Sequence, residues 1–93
     1  LDIDPDDALA WHNKGLALAN MKKYMEAIAC FDKALKLSPD YDMAYFSRGA
    51  ALASSGKYSE AIPCFEQFIR YAKPEHASMV QEAQQILRQL KGR

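Results

Sequence analysis

The side chains with the strongest claim to chemistry are His12 and His76, Cys30 and Cys64, and the aspartates at positions 2, 4, 6 and 7. The two histidines could each ligate a metal through a ring nitrogen, but they lie almost two repeat lengths apart and neither has a second ligand at metal spacing. Both are expected to be lone surface histidines. Cys30 and Cys64 fall inside helix-forming stretches with no nearby histidine or glycine-rich turn, so packing or partial exposure is expected of them and nucleophilic attack is not. The aspartates are spaced like the opening of a calcium loop, yet the glycine and the distal bidentate glutamate of such a loop are missing. Helix capping and solvation account for them better. No catalytic residue, metal or cofactor is expected, and the chain is not expected to be an enzyme.

The elements that position these groups come in two copies. Residues 8–41 laid over residues 42–75 agree at 12 of 34 positions: Ala10/Ala44, Gly15/Gly49, Ala17/Ala51, Leu18/Leu52, Ala19/Ala53, Lys23/Lys57, Tyr24/Tyr58, Glu26/Glu60, Ala27/Ala61, Ile28/Ile62, Cys30/Cys64 and Phe31/Phe65. Ordinary residue usage would give roughly two. A period of this length means stacked units that share one core. In the first unit, Asp6 or Asp7 caps a helix running to about Met21, whose apolar residues form two stripes. Ala10, Trp11, Gly15 and Leu18 make one stripe; Leu9, His12, Leu16, Ala19 and Asn20 make the other. A turn at Lys22 and Lys23 leads to a second helix, about Met25 to Leu37, with Ala27, Ile28, Phe31, Ala34 and Leu35 at helical spacing. Pro39 ends it.

The second unit repeats this logic, with Asp42 as the expected cap and Ser54-Ser55-Gly56 as the turn. Pro63 falls in or just past the first turn of its second helix, so no break is expected there. Residues 75–91 lose the repeat's signature but keep Met79, Val80, Ala83, Ile86, Leu87 and Leu90 opposite Gln81, Glu82, Gln85, Arg88 and Gln89, the pattern of a capping helix.

These residues resemble the tetratricopeptide repeat. Trp11, Gly15, Ala27, Phe31 and Pro39, with Tyr24 and Glu26, stand at that family's positions in the first unit; Tyr45, Gly49, Ala61 and Phe65 do so in the second. Lys14 and Arg48 replace a usual Leu, Leu18 and Leu52 replace a Tyr, and Pro74 comes one residue late. The resemblance implies an all-α fold, a right-handed superhelical stack of antiparallel helix pairs. The expected organisation is residues 1–7 as the tail of a preceding repeat, 8–41 and 42–75 as two repeats, and 76–93 as a C-terminal capping helix. Leu1, Pro5 and Asp6 match Leu35, Pro39 and Asp40 in register, so the chain is expected to be a piece of a longer array. Repeat packing is assigned to Trp11, Gly15, Leu18, Tyr24, Ala27, Phe31, Pro39, Tyr45, Gly49, Leu52, Tyr58, Ala61 and Phe65.

The resemblance further implies a non-enzymatic scaffold that binds a protein or peptide on its concave side, which the first helices line. The expected binding residues are Leu9, His12, Asn13, Leu16 and Asn20 beside Met43, Phe46, Ser47, Ala50 and Ser54. Met and Phe supply adaptable apolar contact, and the Asn and Ser side chains hold backbone amides. One subset of the family clamps a C-terminal carboxylate with Lys, Asn and Arg. The corresponding positions here hold His12, Leu16, Ser47, Ala77 and Gln81, so no preference for acidic chaperone tails is expected. Two other readings stand beside this one: self-association through an exposed N-terminal repeat face, and a regulatory region of a larger enzyme such as a glycosyltransferase.

Charge and length narrow the partners. Twelve basic and 12 acidic side chains balance, which argues against nucleic acid or an anionic membrane, since both call for a concentrated basic face. No apolar run approaches the roughly 20 residues of a membrane span. Cys30 and Cys64 are equivalent positions of neighbouring units, ~8 to 10 Å apart in stacked helices, beyond the ~7 Å that a disulfide can bridge. Two reduced thiols and a cytoplasmic location are expected.

Overall fold

The computed structural model describes residues 5–92. They form five α-helices: α1 (Ala8–Asn20), α2 (Tyr24–Leu37), α3 (Asp42–Ser54), α4 (Tyr58–Tyr71) and α5 (Ala77–Lys91), with a 3-10 turn at Pro74–His76 before α5. The pairs α1/α2 and α3/α4 pack within each unit, α2 packs on α3, and α4 on α5. The architecture is an all-helical repeat stack. Of the expected tail, residues 1–4, including Asp2 and Asp4, lie outside the described residues.

Each pair closes on one buried phenylalanine facing one glycine. A Cβ added at Gly15 would lie 2.5 Å from Cε1 of Phe31, and one at Gly49 would lie 2.9 Å from Cε2 of Phe65. Glycine inside a helix lowers its stability by about 1 kcal/mol against alanine, and the ring of the partner helix occupies the space gained. Ala27 and Ala61, fully buried, bring the two helices of each pair together. The core then runs from Ile28 and Phe31 through Leu52, Phe65 and Phe68 to Ala83, Leu87 and Leu90, where α5 closes it.

Helix boundaries follow local chemistry. Asp7 caps α1 by accepting from Ala10 N–H at 3.2 Å. Both first helices end in the same two-bond motif: Lys22 N–H reaches Ala19 O and Lys23 N–H reaches Leu18 O, as Gly56 and Lys57 do with Ala53 and Leu52. The turn residue must take a positive φ, 84° at Gly56 and 62° at Lys22. Only Gly56 does so without a Cβ clash. Lys22→Gly is therefore expected to stabilise the chain by roughly 1 kcal/mol and Gly56→Lys to destabilise it by about as much, read as opposite shifts of the thermal midpoint.

One expectation at the helix ends is revised. Tyr41, and not Asp42, occupies the cap position of α3. Asp42 opens the helix itself, and its buried carboxylate is turned toward the α4–α5 connection. Pro63 is the sixth residue of α4, in its second turn, where its missing N–H does cost a bond, yet as expected the helix runs through it to Tyr71. The carbonyl that its missing N–H would have bonded belongs to Ser59, and both residues are exposed, so water can serve that carbonyl.

Candidate functional site: a concave groove on the first helices

α1 and α3 lie side by side, and the ends of their outer stripes enclose a hollow of about 340 Å³. Leu16, Ala19 and Asn20 come from α1, Tyr24 and Phe31 from α2, and Phe46, Ser47, Ala50, Ala51 and Ser54 from α3. Six of the ten expected binding residues meet here: Leu16, Asn20, Phe46, Ser47, Ala50 and Ser54. Leu9, His12, Asn13 and Met43 do not line it. Leu9 and Met43 are seven residues before Leu16 and Ala50, about 10 Å down their helices at 1.5 Å per residue. Asn13 is exposed on the same side of α1, about two turns before Asn20. The sequence reading passed over Tyr24 and Phe31 as lining groups, because a period taken along one helix does not show what the next helix contributes to the floor; Ala19 was placed in the stripe but not among the binding residues, and Ala51 in neither.

His12 requires the largest correction. Only 6% of it is exposed, so it is neither a surface histidine nor a groove contact. Its Nε2 lies 2.9 Å from Ser47 Oγ and its Nδ1 3.2 Å from the Tyr41 hydroxyl, and its ring tilts against Phe31 and Tyr41. Ser47 is thereby engaged with His12 rather than held ready for a ligand's amides. A signal was present in the repeat: the equivalent position is Phe46, also turned toward the core.

Burial lowers the His12 pKa below its ordinary 6.5, and a backbone hydrogen bond with Met43 offsets part of that effect. The unfolded chain thus takes up a proton near pH 6.5 that the folded chain still refuses. Stability falls as pH drops below about 6.5 and stops falling, on this account, below the folded pKa. Thermal melts between pH 7.5 and 5 should show this loss, and His12→Gln should remove that component of it.

Phe46 combines two roles. It lines the groove, but its ring also meets Phe65 and Phe68 edge-on at centroid distances of 5.3 and 5.1 Å, so it is not the core-independent contact expected. Among the packing residues, Gly15, Ala27, Phe31, Gly49, Leu52, Ala61 and Phe65 are buried, while Leu18 and Tyr24 are half-buried against the core. Trp11 and Tyr45 are half-buried and secure the segments before their helices. Trp11 Nε1–H donates to Pro5 O at 3.2 Å, and the Tyr45 hydroxyl donates to Pro39 O at 2.8 Å. Tyr58 is corrected: it is 37% exposed and lies outside the buried core that its counterpart Tyr24 joins.

Electrostatically the groove is neutral, with no charged residue among those lining it. At the positions where a carboxylate clamp would carry cations, Leu16, Ala77 and Gln81 are exposed and uncharged, and His12 and Ser47 are buried on each other. Cys30 and Cys64 are both buried and unpaired. Burial pushes both thiols up, and at Cys64 it outweighs the opposing pull of Arg48, whose Nη1 lies 2.9 Å from the sulfur. Raised thiols are poor nucleophiles at neutral pH. Among the described residues no three His, Cys, Asp or Glu side chains gather as metal ligands, and no helix is long and apolar enough to cross a membrane.

Comparison with known proteins places this geometry. A model described as Tetratricopeptide repeat matches residues 8–41, and a second of the same description matches residues 30–62. No curated protein matches the chain. Among solved structures, the chain is similar to the TPR2B domain of yeast Sti1 in a pHsp70 complex, with 26% identity and a TM-score of 0.85 over 95% of this chain and 71% of that one. It is similar to the first TPR of Spaghetti (RPAP3) bound to the HSP90 peptide SRMEEVD, with 27% identity and a TM-score of 0.72 over 90% and 68% of the two chains. A tetratricopeptide repeat domain protein from Salinibacter ruber shares the fold at 22% identity, with a TM-score of 0.81 over 97% and 92%.

Proposed function

Because the chain belongs to the tetratricopeptide repeat family, we propose that it is a protein-interaction module that holds a peptide of a partner protein in the concave groove of α1 and α3. The observation that carries this reading is the neutral hollow between Leu16, Asn20, Phe46, Ala50 and Ser54. Its apolar floor takes one or two aliphatic or aromatic side chains, and the amide of Asn20 and the hydroxyl of Ser54, both exposed, hydrogen-bond the ligand's backbone. Two of the similar structures are complexes with chaperone peptides, which supports a peptide as the kind of ligand. The acidic character of SRMEEVD does not carry over, since this groove offers no cation to a carboxylate.

Panning a random peptide display library on the immobilised chain tests the proposal. Selected peptides should share an apolar anchor without a C-terminal acidic run. Leu16→Glu/Ala50→Glu, placed on exposed positions and checked by circular dichroism, should weaken them at least about tenfold, the effect of ~1.4 kcal/mol. Unchanged affinity in that variant, or tight capture of an acidic C-terminal tail, would refute it.

A further inference from the structure

The balanced net charge of the chain conceals a separation of charge along the helices. Because successive helices are antiparallel, the α1/α2 and α3/α4 turns lie at one end of the stack, and the segments entering α1, α3 and α5 lie at the other. The entry end carries Asp6, Asp7, Asp40, Asp42 and Glu75 against Lys36 and Lys73. The turn end carries Lys22, Lys23 and Lys57, all exposed. Among the described residues no carboxylate pairs with these three lysines. Glu26 and Glu60 also belong to this end, but Glu26 lines the hollow beside Trp11 and Lys14, on the face turned away from the groove, and Glu60 holds the equivalent place.

The two turns are neighbours. Asn20 and Ser54, the last residues of α1 and α3, line one hollow, so the lysines that follow them share its rim. Met21 and Met25 flank Lys22 and Lys23, and each is 59% exposed. Their counterparts in the second repeat are Ser55 and Ser59, so the packing of the helix pair does not call for methionine at either place. Nor does it call for lysine at position 22, which holds a φ of 62° where the second repeat uses Gly56. A side chain kept in left-handed backbone costs stability that glycine would spare, and such strain gathers at functional positions. At Gly56 an added Cβ would meet nothing within 4 Å, so this turn stands clear of the helices.

We propose that the turn end docks on the surface of an anionic lipid bilayer, with Lys22, Lys23 and Lys57 among the headgroups and the side chains of Met21 and Met25 entering the interfacial layer. Each ammonium is drawn to the negative leaflet within a Debye length, and the apolar chains add their burial to that attraction. Two projecting turns make a convex edge. A fluid headgroup layer moulds itself to such an edge, and unbranched methionine adapts to the layer in return, whereas an acidic protein would need a recess shaped to receive it. The acidic entry end then faces away from the membrane, so the same charge separation orients the stack. A balanced net charge argues against membrane binding only where the charges are mixed, and here they are sorted.

The test uses the chain itself with vesicles of phosphatidylcholine mixed with phosphatidylserine, and with vesicles of phosphatidylcholine alone. At low ionic strength the chain should sediment with the mixed vesicles and not with the neutral ones, and added salt should weaken the association. Lys22→Glu and Lys36→Glu change the net charge equally at opposite ends. With folding checked by circular dichroism, the first should weaken vesicle binding at least about fivefold and the second should leave it within about twofold. Nitroxide-labelled lipid should broaden the methyl signals of Met21 and Met25 and spare those of Met43 and Met79, which stand at the entry end. No sedimentation with the mixed vesicles, equal binding to the neutral ones, equal loss in the two variants, or broadening of all four methyls would each overturn the proposal. Tighter capture of polyglutamate than of vesicles by the same lysines would also overturn it, and would assign the turn end to an acidic protein.

Discussion

Replacing Phe65 by alanine is expected to remove most of the chain's stability. The ring is buried, receives the edge of Phe46, and fills the space left by the missing Cβ of Gly49. Truncating a ring in such a place costs about 3 to 5 kcal/mol, against a total of roughly 5 to 14 kcal/mol for a domain this size. The thermal midpoint should fall by about 15 to 30 °C. A second substitution makes the argument specific. In the native chain Gly49→Ala gains about 1 kcal/mol of helix propensity but drives a methyl into the Phe65 ring, an overpacking of ~1 to 3 kcal/mol. With Phe65 already alanine the ring clash is gone and only the 3.1 Å approach to Cys64 Cβ remains, so Gly49→Ala should be clearly less costly than in the native chain. The same effect in both backgrounds would refute the glycine–phenylalanine account.

Asp42→Ala is expected to rank next, at about 2 to 4 kcal/mol. The residue is 1% exposed, and its carboxylate accepts from Met43 N–H at 2.8 Å, Lys73 N–H at 3.0 Å and His76 Nδ1 at 2.6 Å. Truncation leaves these donors without their acceptor and unties the start of α3 from the connection that carries α5. Amide exchange should therefore accelerate in α5 before it does in α1 and α2. Burial pushes the Asp42 carboxyl up, but the His76 bond and the Lys73 and Met43 amides outweigh it, holding the group below its ordinary 3.8. A depressed carboxyl contributes stability that is present above pH 3.8 and disappears as pH falls toward the folded value. Melts in that acid range should be flatter for the variant than for the native chain, and this window is separate from that of His12.

The repeat was legible because it is written twice. Gly15 and Gly49, Ala27 and Ala61, and Phe31 and Phe65 each serve the same contact in successive units, so register alone located the helices, the turns and the buried stripe. The groove was half legible. Leu16, Asn20, Ala50 and Ser54 follow from helical period, whereas Tyr24 and Phe31 enter from the neighbouring helix, which no single-helix period reports. His12 and Asp42 were misread for a related reason. Each is a polar residue whose partners lie 29 or more positions away, Tyr41 and Ser47 for one and Lys73 and His76 for the other. A polar side chain looks solvent-facing until the groups that satisfy it in the interior are known. Tyr58 shows the converse: identity with Tyr24 did not secure the same burial, since Tyr24 packs against the core while Tyr58 is 37% exposed.

The most direct test of the central claim is chemical-shift mapping of the labelled chain with a peptide selected on it. The account predicts that the largest perturbations fall on Leu16, Asn20, Ala50 and Ser54, with Cys30, Cys64 and α5 unmoved. Perturbations confined to α5 or to the opposite side of the helix pairs, with those four residues unchanged, would contradict it.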